Sequence, residues 1–302
     1  LGAWSDAGAP EGDSAMPVPT GTPLPSVTSP DAIVEMKTDY VPVTGPNDDY
    51  RCFVVDPVSP VDVFVTAFEF VPGEPRVVHH AILYTMDSAG EAAAVAQEAE
   101  DLEPGYDCYG GTGIANASWA SAWVPGAGAS ILPSGTGVRL NGGRKMVMQI
   151  HYNTLQGSFP DRTSVKLSLA ASVEKVAVIP RFGDNTLNLA PGQEDVESTA
   201  EFALPDVGPI QLHAAAPHMH TLGKSFHAEY TKDGTTTCLV DVPRWDFGWQ
   251  QLFFYQTPLT LPSGGTLKVS CHYNTSGLTE PVTFGEDTDQ EMCIALFYAT
   301  AP

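Results

Sequence analysis

His218 and His220 stand two residues apart in Ala-Pro-His-Met-His-Thr-Leu-Gly-Lys, residues 216–224. Side chains two apart on a β-strand leave the same face, so these imidazoles can share one metal ion, while Met219 between them faces the other way. Two unrelated strand histidines would give the same pattern. A second group lies upstream, with His79 and His80 in Arg-Val-Val-His-His-Ala-Ile-Leu-Tyr-Thr (76–85) and His151 in Lys-Met-Val-Met-Gln-Ile-His-Tyr (145–152). Three histidines make a complete ligand set for copper or zinc. Adjacent residues on a regular strand face opposite sides, so His79 and His80 can serve one ion only if the backbone is irregular or one ring reaches round. Otherwise all three are separate structural histidines. Met292 lies in Asp-Gln-Glu-Met-Cys-Ile-Ala-Leu-Phe-Tyr, residues 289–298. A methionine there usually packs in the core. As a ligand its soft thioether favours Cu(I) over zinc. Met292 shares its strand face with Ile294, Leu296 and Tyr298. His213, His227 and His272 read as structural.

The elements that must position these residues are strands. Asp62 to Val71, Arg76 to Thr85, Lys145 to Tyr152 and Thr163 to Ala171 are rich in β-branched and aromatic residues. One short helix, capped by Ser88, is expected through Glu91 to Ala99. A second series of strands runs from about Val176 to the C-terminus, its hairpins separated by turns at Lys232-Asp233-Gly234 and Pro262-Ser263-Gly264-Gly265. The expected fold is all-β: two tandem antiparallel β-sandwich domains, residues 29–172 and 173–302, after a flexible Pro/Gly/Ala-rich arm, residues 1–28.

Composition narrows the function. The net charge of −22 argues against nucleic acid and anionic membrane surfaces, where lysine and arginine carry the attraction. No apolar run reaches the length of a membrane span. The chain reads as a mature form whose export signal has been removed, secreted, periplasmic or tethered at a cell surface. Five cysteines with no Cys-x-x-Cys disfavour a zinc ribbon or a thioredoxin-like motif. In an exported chain they suit two disulfides and one buried free thiol; in a cytosolic chain, five reduced core cysteines.

Val-Val-His-His-Ala-Ile-Leu-Tyr, Met-Gln-Ile-His-Tyr-Asn, His-Met-His-Thr-Leu-Gly-Lys and Glu-Met-Cys, in this order, resemble the four copper motifs of the ascorbate-dependent type II copper monooxygenases. The resemblance covers most of residues 50–300. It implies jelly-roll-like domains with one copper each, facing across a solvent-filled cleft. His79, His80 and His151 would hold the electron-transfer copper, and His218, His220 and Met292 the oxygen-binding, catalytic copper. It further implies O2 as oxidant, ascorbate or another one-electron reductant, and hydroxylation of a substrate C–H. Cys52–Cys108 and Cys271–Cys293 match the family's disulfides, the second clamping the strand of Met292, which leaves Cys238 over.

In the peptide-amidating members, an arginine, an asparagine and a tyrosine hold the substrate carboxylate. The matching positions here are Ala216, Ile294 and Leu296. The expected substrate is therefore a small apolar or aromatic molecule rather than a glycine-extended peptide, unless Arg139 or Arg144 supplies the clamp. Two other classes fit the residues: a copper-binding or cell-surface β-sandwich without turnover, and a zinc hydrolase at the three-histidine site.

Overall fold

Alternating β-branched and aromatic side chains make Val63–Val71 a strand whose Val65, Phe68 and Phe70 enter the core, across a bulge opposite Ser168/Leu169. The same chemistry recurs throughout. The computed structural model describes residue 8, residues 24–44 and residues 48–301. Among these the chain is predominantly β with one helix, Ser88–Glu100. The helix begins one residue earlier than expected. Asp87, not Ser88, is its cap, because the Asp87 carboxylate accepts from Gly90 N at 2.8 Å.

In the first half, Asp48–Val55, Val78–Thr85 and Ser118–Trp123 flank and extend Met146–Asn153 in a five-stranded sheet. It packs on Ala32–Glu35, Ser164–Ala170, Val63–Val71 and Thr136–Leu140 around one apolar core. In the second half, the sheet of Val196–Ala203, Thr266–Tyr273, Gly223–Lys232 and Thr235–Val242 shares a core with Ile210–His218 and Ile294–Thr300. The halves are not independent sheets. Lys175–Val178 pairs parallel with Thr136–Leu140 and antiparallel with Ile294–Thr300, so one ten-stranded sheet runs through both. Ala214 and Tyr298 from the second half join the first core.

Lys232-Asp233-Gly234 closes a hairpin, with positive φ at both Asp233 and Gly234 as a tight two-residue turn requires. Pro262-Ser263-Gly264-Gly265 does not. Phe253–Leu261 pairs with Ile210–His218 and Thr266–Tyr273 with Val196–Ala203, so this turn carries the chain between sheets. Most of the N-terminal arm lies outside the described residues. Of residues 24–28, Val27 is buried against Ala67 and Ala129, and its N–H donates to Glu69.

Cys52–Cys108 and Cys271–Cys293 are disulfide-bonded. Cys238 is free but exposed rather than buried, because it sits on an edge strand with one face in solvent. Replacing Cys271 and Cys293 together by serine is expected to cost about 2–4 kcal/mol. Chemical denaturation checks this, and an unchanged midpoint would show that packing alone holds the residues next to Met292.

Candidate metal centre

The difficulty with adjacent histidines is resolved by a β-bulge. Val78 pairs with Tyr152 and His80 with His151, leaving His79 as an extra residue in the ladder. A bulge re-aims side chains, and here it brings three rings together. Ring centroids lie 4.7 Å apart for His79–His151 and 4.8 Å for His80–His151. One ring nitrogen from each of the three lies within 4.8 Å of the others.

His151 is buried, and its Nε2 shares a hydrogen with Asp48 Oδ1 at 2.7 Å. That bond assigns Nδ1 as the nitrogen open to a ligand, the arrangement in which a carboxylate orients a metal-binding imidazole. His151 Nδ1 lies 3.3 Å from His80 Nδ1, close to the ~3.3 Å between two nitrogens held tetrahedrally at about 2.0–2.1 Å from one ion. His79 Nδ1 is buried with no hydrogen-bond partner among the described residues. Burial, reinforced by neighbouring histidines, holds His79 neutral with its pKa down to about 3, and His80 well below its ordinary value. Burial alone would raise Asp48, but the His151 hydrogen bond and charge bring it down to about 2. Neutral imidazoles with an orphaned buried nitrogen fit a metal ion.

The second group is assembled differently from the expected two-apart strand geometry. The strand Ile210–His218 ends at His218, and His220 lies in the following loop. The rings nevertheless approach to 5.1 Å. His218 Nδ1 contacts Gln250 Oε1 at 2.6 Å and His220 Nδ1 the carbonyl of Gln290 at 2.9 Å, so both Nε2 atoms remain available. Burial lowers the pKa of both, His218 to about 3. Met219 is buried in the second core, away from them. Met292 is buried just before the strand Ile294–Thr300, beside Ile294 and Leu296.

Glu291, which the sequence reading passed over, ties these pieces together. Its carboxylate accepts from His220 N at 2.9 Å, Leu222 N at 2.6 Å and Met292 N at 3.3 Å. The loop of His220 and the backbone of Met292 thus share one acceptor. Burial raises the Glu291 pKa to about 7 against those bonds. Glu291→Ala would leave the N–H groups of His220 and Leu222 without partners, at roughly 2–4 kcal/mol. The measurement is the denaturation midpoint beside metal stoichiometry, with Glu291→Gln expected to lose less. Wild-type stability in the alanine variant would contradict the role.

Phe247 and a set of hydrogen bonds link the surroundings of the two histidine groups. The Phe247 ring stacks on His79 at 5.5 Å and lies 6.1 Å from His220. The segment before Met292 is fastened to the first half: Thr288 donates to Asp48 and Tyr50 to the Glu286 carbonyl, and Tyr109 meets Gln290 at 2.6 Å. Asp48 therefore touches both His151 and the segment leading to Met292. The expected cleft between the groups is bridged in part by these aromatic and hydrogen-bonded contacts, while His80 and His218 border one common cavity.

Beside the groups is a cavity of about 320 Å³ lined by Trp119, Trp123, Ile82, Met292, Ile294 and Leu296, with His80 and His218 on its wall. Arg139 and Arg144 are elsewhere, facing Asp62 at 3.7 Å and Glu91 at 3.1 Å. The guanidinium on the lining is that of Arg181, paired in register with Leu296. The remaining histidines have local partners: His213 contacts Thr300, His227 Asp241 and Glu229, and His272 Asp195.

Fold and site together define an all-β protein with two largely buried histidine groups suited to metal. Residues 188–300 match the model of the copper type II ascorbate-dependent monooxygenase C-terminal domain. The chain is 23% identical over 284 residues to the peptidyl-glycine alpha-amidating monooxygenase of Mus musculus, covering 91% of this chain and 27% of that protein. It is 22% identical over 278 residues to DBH-like monooxygenase protein 2 of Mus musculus, covering 84% and 44%. It is 27% identical over 192 residues to the dopamine beta-hydroxylase of Rattus norvegicus, covering 58% and 31%. The likeness to the copper type II ascorbate-dependent monooxygenases is thus carried by the model match over residues 188–300 and by relatives at 22–27% identity. The chain spans about a quarter of the length of the amidating relatives it matches.

Proposed function

We propose that this chain is a copper-dependent monooxygenase that hydroxylates a substrate C–H with O2 and a one-electron reductant such as ascorbate. The observation that carries the reading is the convergence of His79, His80 and His151 beside a second pair, His218 and His220, in a chain whose residues 188–300 match the family's C-terminal domain. In this reading His79, His80 and His151 hold one copper, and His218, His220 and Met292 the other, in domains of residues 29–172 and 173–302. Copper, when bound, supplies the one-electron chemistry with O2; the net reaction places one oxygen atom in the product and releases the other as water, with electrons from the reductant.

The protein's own residues set the geometry. Asp48 and Gln250 hold His151 Nε2 and His218 Nδ1, which would leave the opposite ring nitrogens to hold copper. Cys271–Cys293 and Glu291 fix Met292. The apolar wall of Trp119, Ile294 and Leu296 keeps water from the reacting C–H. The disulfides fit an exported protein. Among the described residues no helix is long and apolar enough to cross a membrane.

Metal analysis with ascorbate-dependent O2 uptake, followed by product analysis over a panel of amines, amides and phenethylamines, tests the reading. Copper in both sites and a hydroxylated product support it. One zinc and no redox activity would overturn it, and copper without turnover would favour a non-catalytic copper-binding protein. The substrate is expected to be apolar or aromatic. An acylated glycine peptide should show no saturable hydroxylation, because Ala216, Ile294 and Leu296 offer its carboxylate no hydrogen bond. Efficient turnover of that peptide, lost when its carboxylate is blocked, would instead give Arg181 the clamping role.

A further inference from the structure

The lining of the cavity is apolar except for a few side chains, and most of these are engaged. Gln149 accepts from Tyr84 and donates to the carbonyl of Cys108. Gln250 contacts His218 and donates to the carbonyl of Phe247. Arg181 reaches toward Asn185 at 3.5 Å, with its guanidinium 5.9 Å from the Phe284 ring. Glu286 is different. Its main chain is pinned, with the carbonyl accepting from Tyr50 and the N–H donating to Tyr109. Its side chain lines the cavity, and its carboxylate makes no hydrogen bond or ion pair among the described residues. Burial raises its pKa, and Arg181 only partly opposes this.

A pinned carboxylate in an aromatic-walled cavity, with the Arg181 charge acting on it but no hydrogen-bond or ion-pair partner among the described residues, is set to receive a donor from a ligand. We propose that Glu286 is the specificity-determining anchor of this cavity, holding the ammonium group of an amine whose aromatic or aliphatic body packs against Trp119, Trp123 and Leu296. This rests on the reading of the cavity as the substrate site. Its volume, about 320 Å³, falls in the range of roughly 300–1,000 Å³ common for small-molecule sites. The same carboxylate repels an anionic substrate, so Glu286 works with the apolar positions 216, 294 and 296 against a carboxylate-bearing molecule.

Calorimetry on the metal-free full chain tests this with 4-phenylbutylamine, its N-acetyl derivative and 5-phenylpentanoate. The amine is expected to bind at least about tenfold more tightly than the neutral amide, and Glu286→Gln to remove that preference, roughly 10–100-fold, with amide binding unchanged. The wild-type comparison needs no variant, so a folding defect in Glu286→Gln does not obscure it. Equal binding of amine and amide would overturn the proposal, as would tighter binding of the pentanoate or unchanged amine affinity in Glu286→Gln. The outcomes separate from those for catalysis. Amine binding without copper chemistry would remove the monooxygenase reading alone; hydroxylation confined to neutral substrates would remove only this one.

Discussion

With alanine in place of His151, the chain is expected to keep its second metal group but lose hydroxylation by at least about 100-fold, since outer partners of metal ligands alone cost about 10–100-fold. His151 supplies the nitrogen opposite His80 and is held from the other side by Asp48. Its ring also stacks on Tyr50 at 4.2 Å. Without it, His79 and His80 are left as a pair, one ligand short of the set that holds the electron-transfer copper in the proposed function. Copper per chain should fall from both sites toward one, and turnover should fall with it. Because Asp48 also accepts from Thr288, the loss could act by loosening the segment before Met292. Asp48→Asn separates the two effects: it keeps the imidazole while weakening the same link, and should cost less activity than His151→Ala. Product formation at the wild-type rate in His151→Ala would contradict the assignment.

Much of the fold was legible because strands announce themselves by side-chain type. Val63–Val71 and Met146–Asn153 lie within a residue or two of where β-branched and aromatic runs place them. Asp87 and Ser88 are both good caps, and only the carboxylate's reach to Gly90 decides between them. The continuity of the two halves was not legible. It depends on a parallel pairing of Lys175–Val178 with Thr136–Leu140, distant in sequence and unmarked by any local signal.

The histidine groups show the same boundary. Spacing identified His79, His80 and His151 as candidates, but the bulge that turns His79 toward the others belongs to the pairing of two strands. His218 and His220 meet, though by a strand ending and a loop returning rather than by two-residue alternation. Glu291 was visible only as a letter before Met292; its role appears once three backbone N–H groups from two segments converge on it. Phe247 carried no signal at all, because a ring in contact with both histidine groups is a fact of tertiary packing.

Histidine in place of Met292 is expected to keep metal uptake yet lower turnover by at least about 100-fold, on the same scale as loss of a ligand. A thioether is a soft donor that stabilises Cu(I), and imidazole is a harder one that favours Cu(II). Met292 is buried between Glu291, which accepts its N–H, and Cys293, which is bonded to Cys271. Its main chain is thus fixed before its side chain is considered, and a replacement must act from the same place. Its carbonyl accepts from Tyr273 at 2.9 Å, which holds it further. Packing could account for the residue as well, since Ile294 and Leu296 share its cluster. Met292→Leu distinguishes the two roles. It conserves volume and apolar character, at a stability cost of less than about 1.5 kcal/mol, but offers no donor. If Met292 is a ligand, the leucine variant keeps its denaturation midpoint to within that margin and loses activity. If the leucine variant hydroxylates at the wild-type rate, Met292 does no more than fill the wall of the cavity.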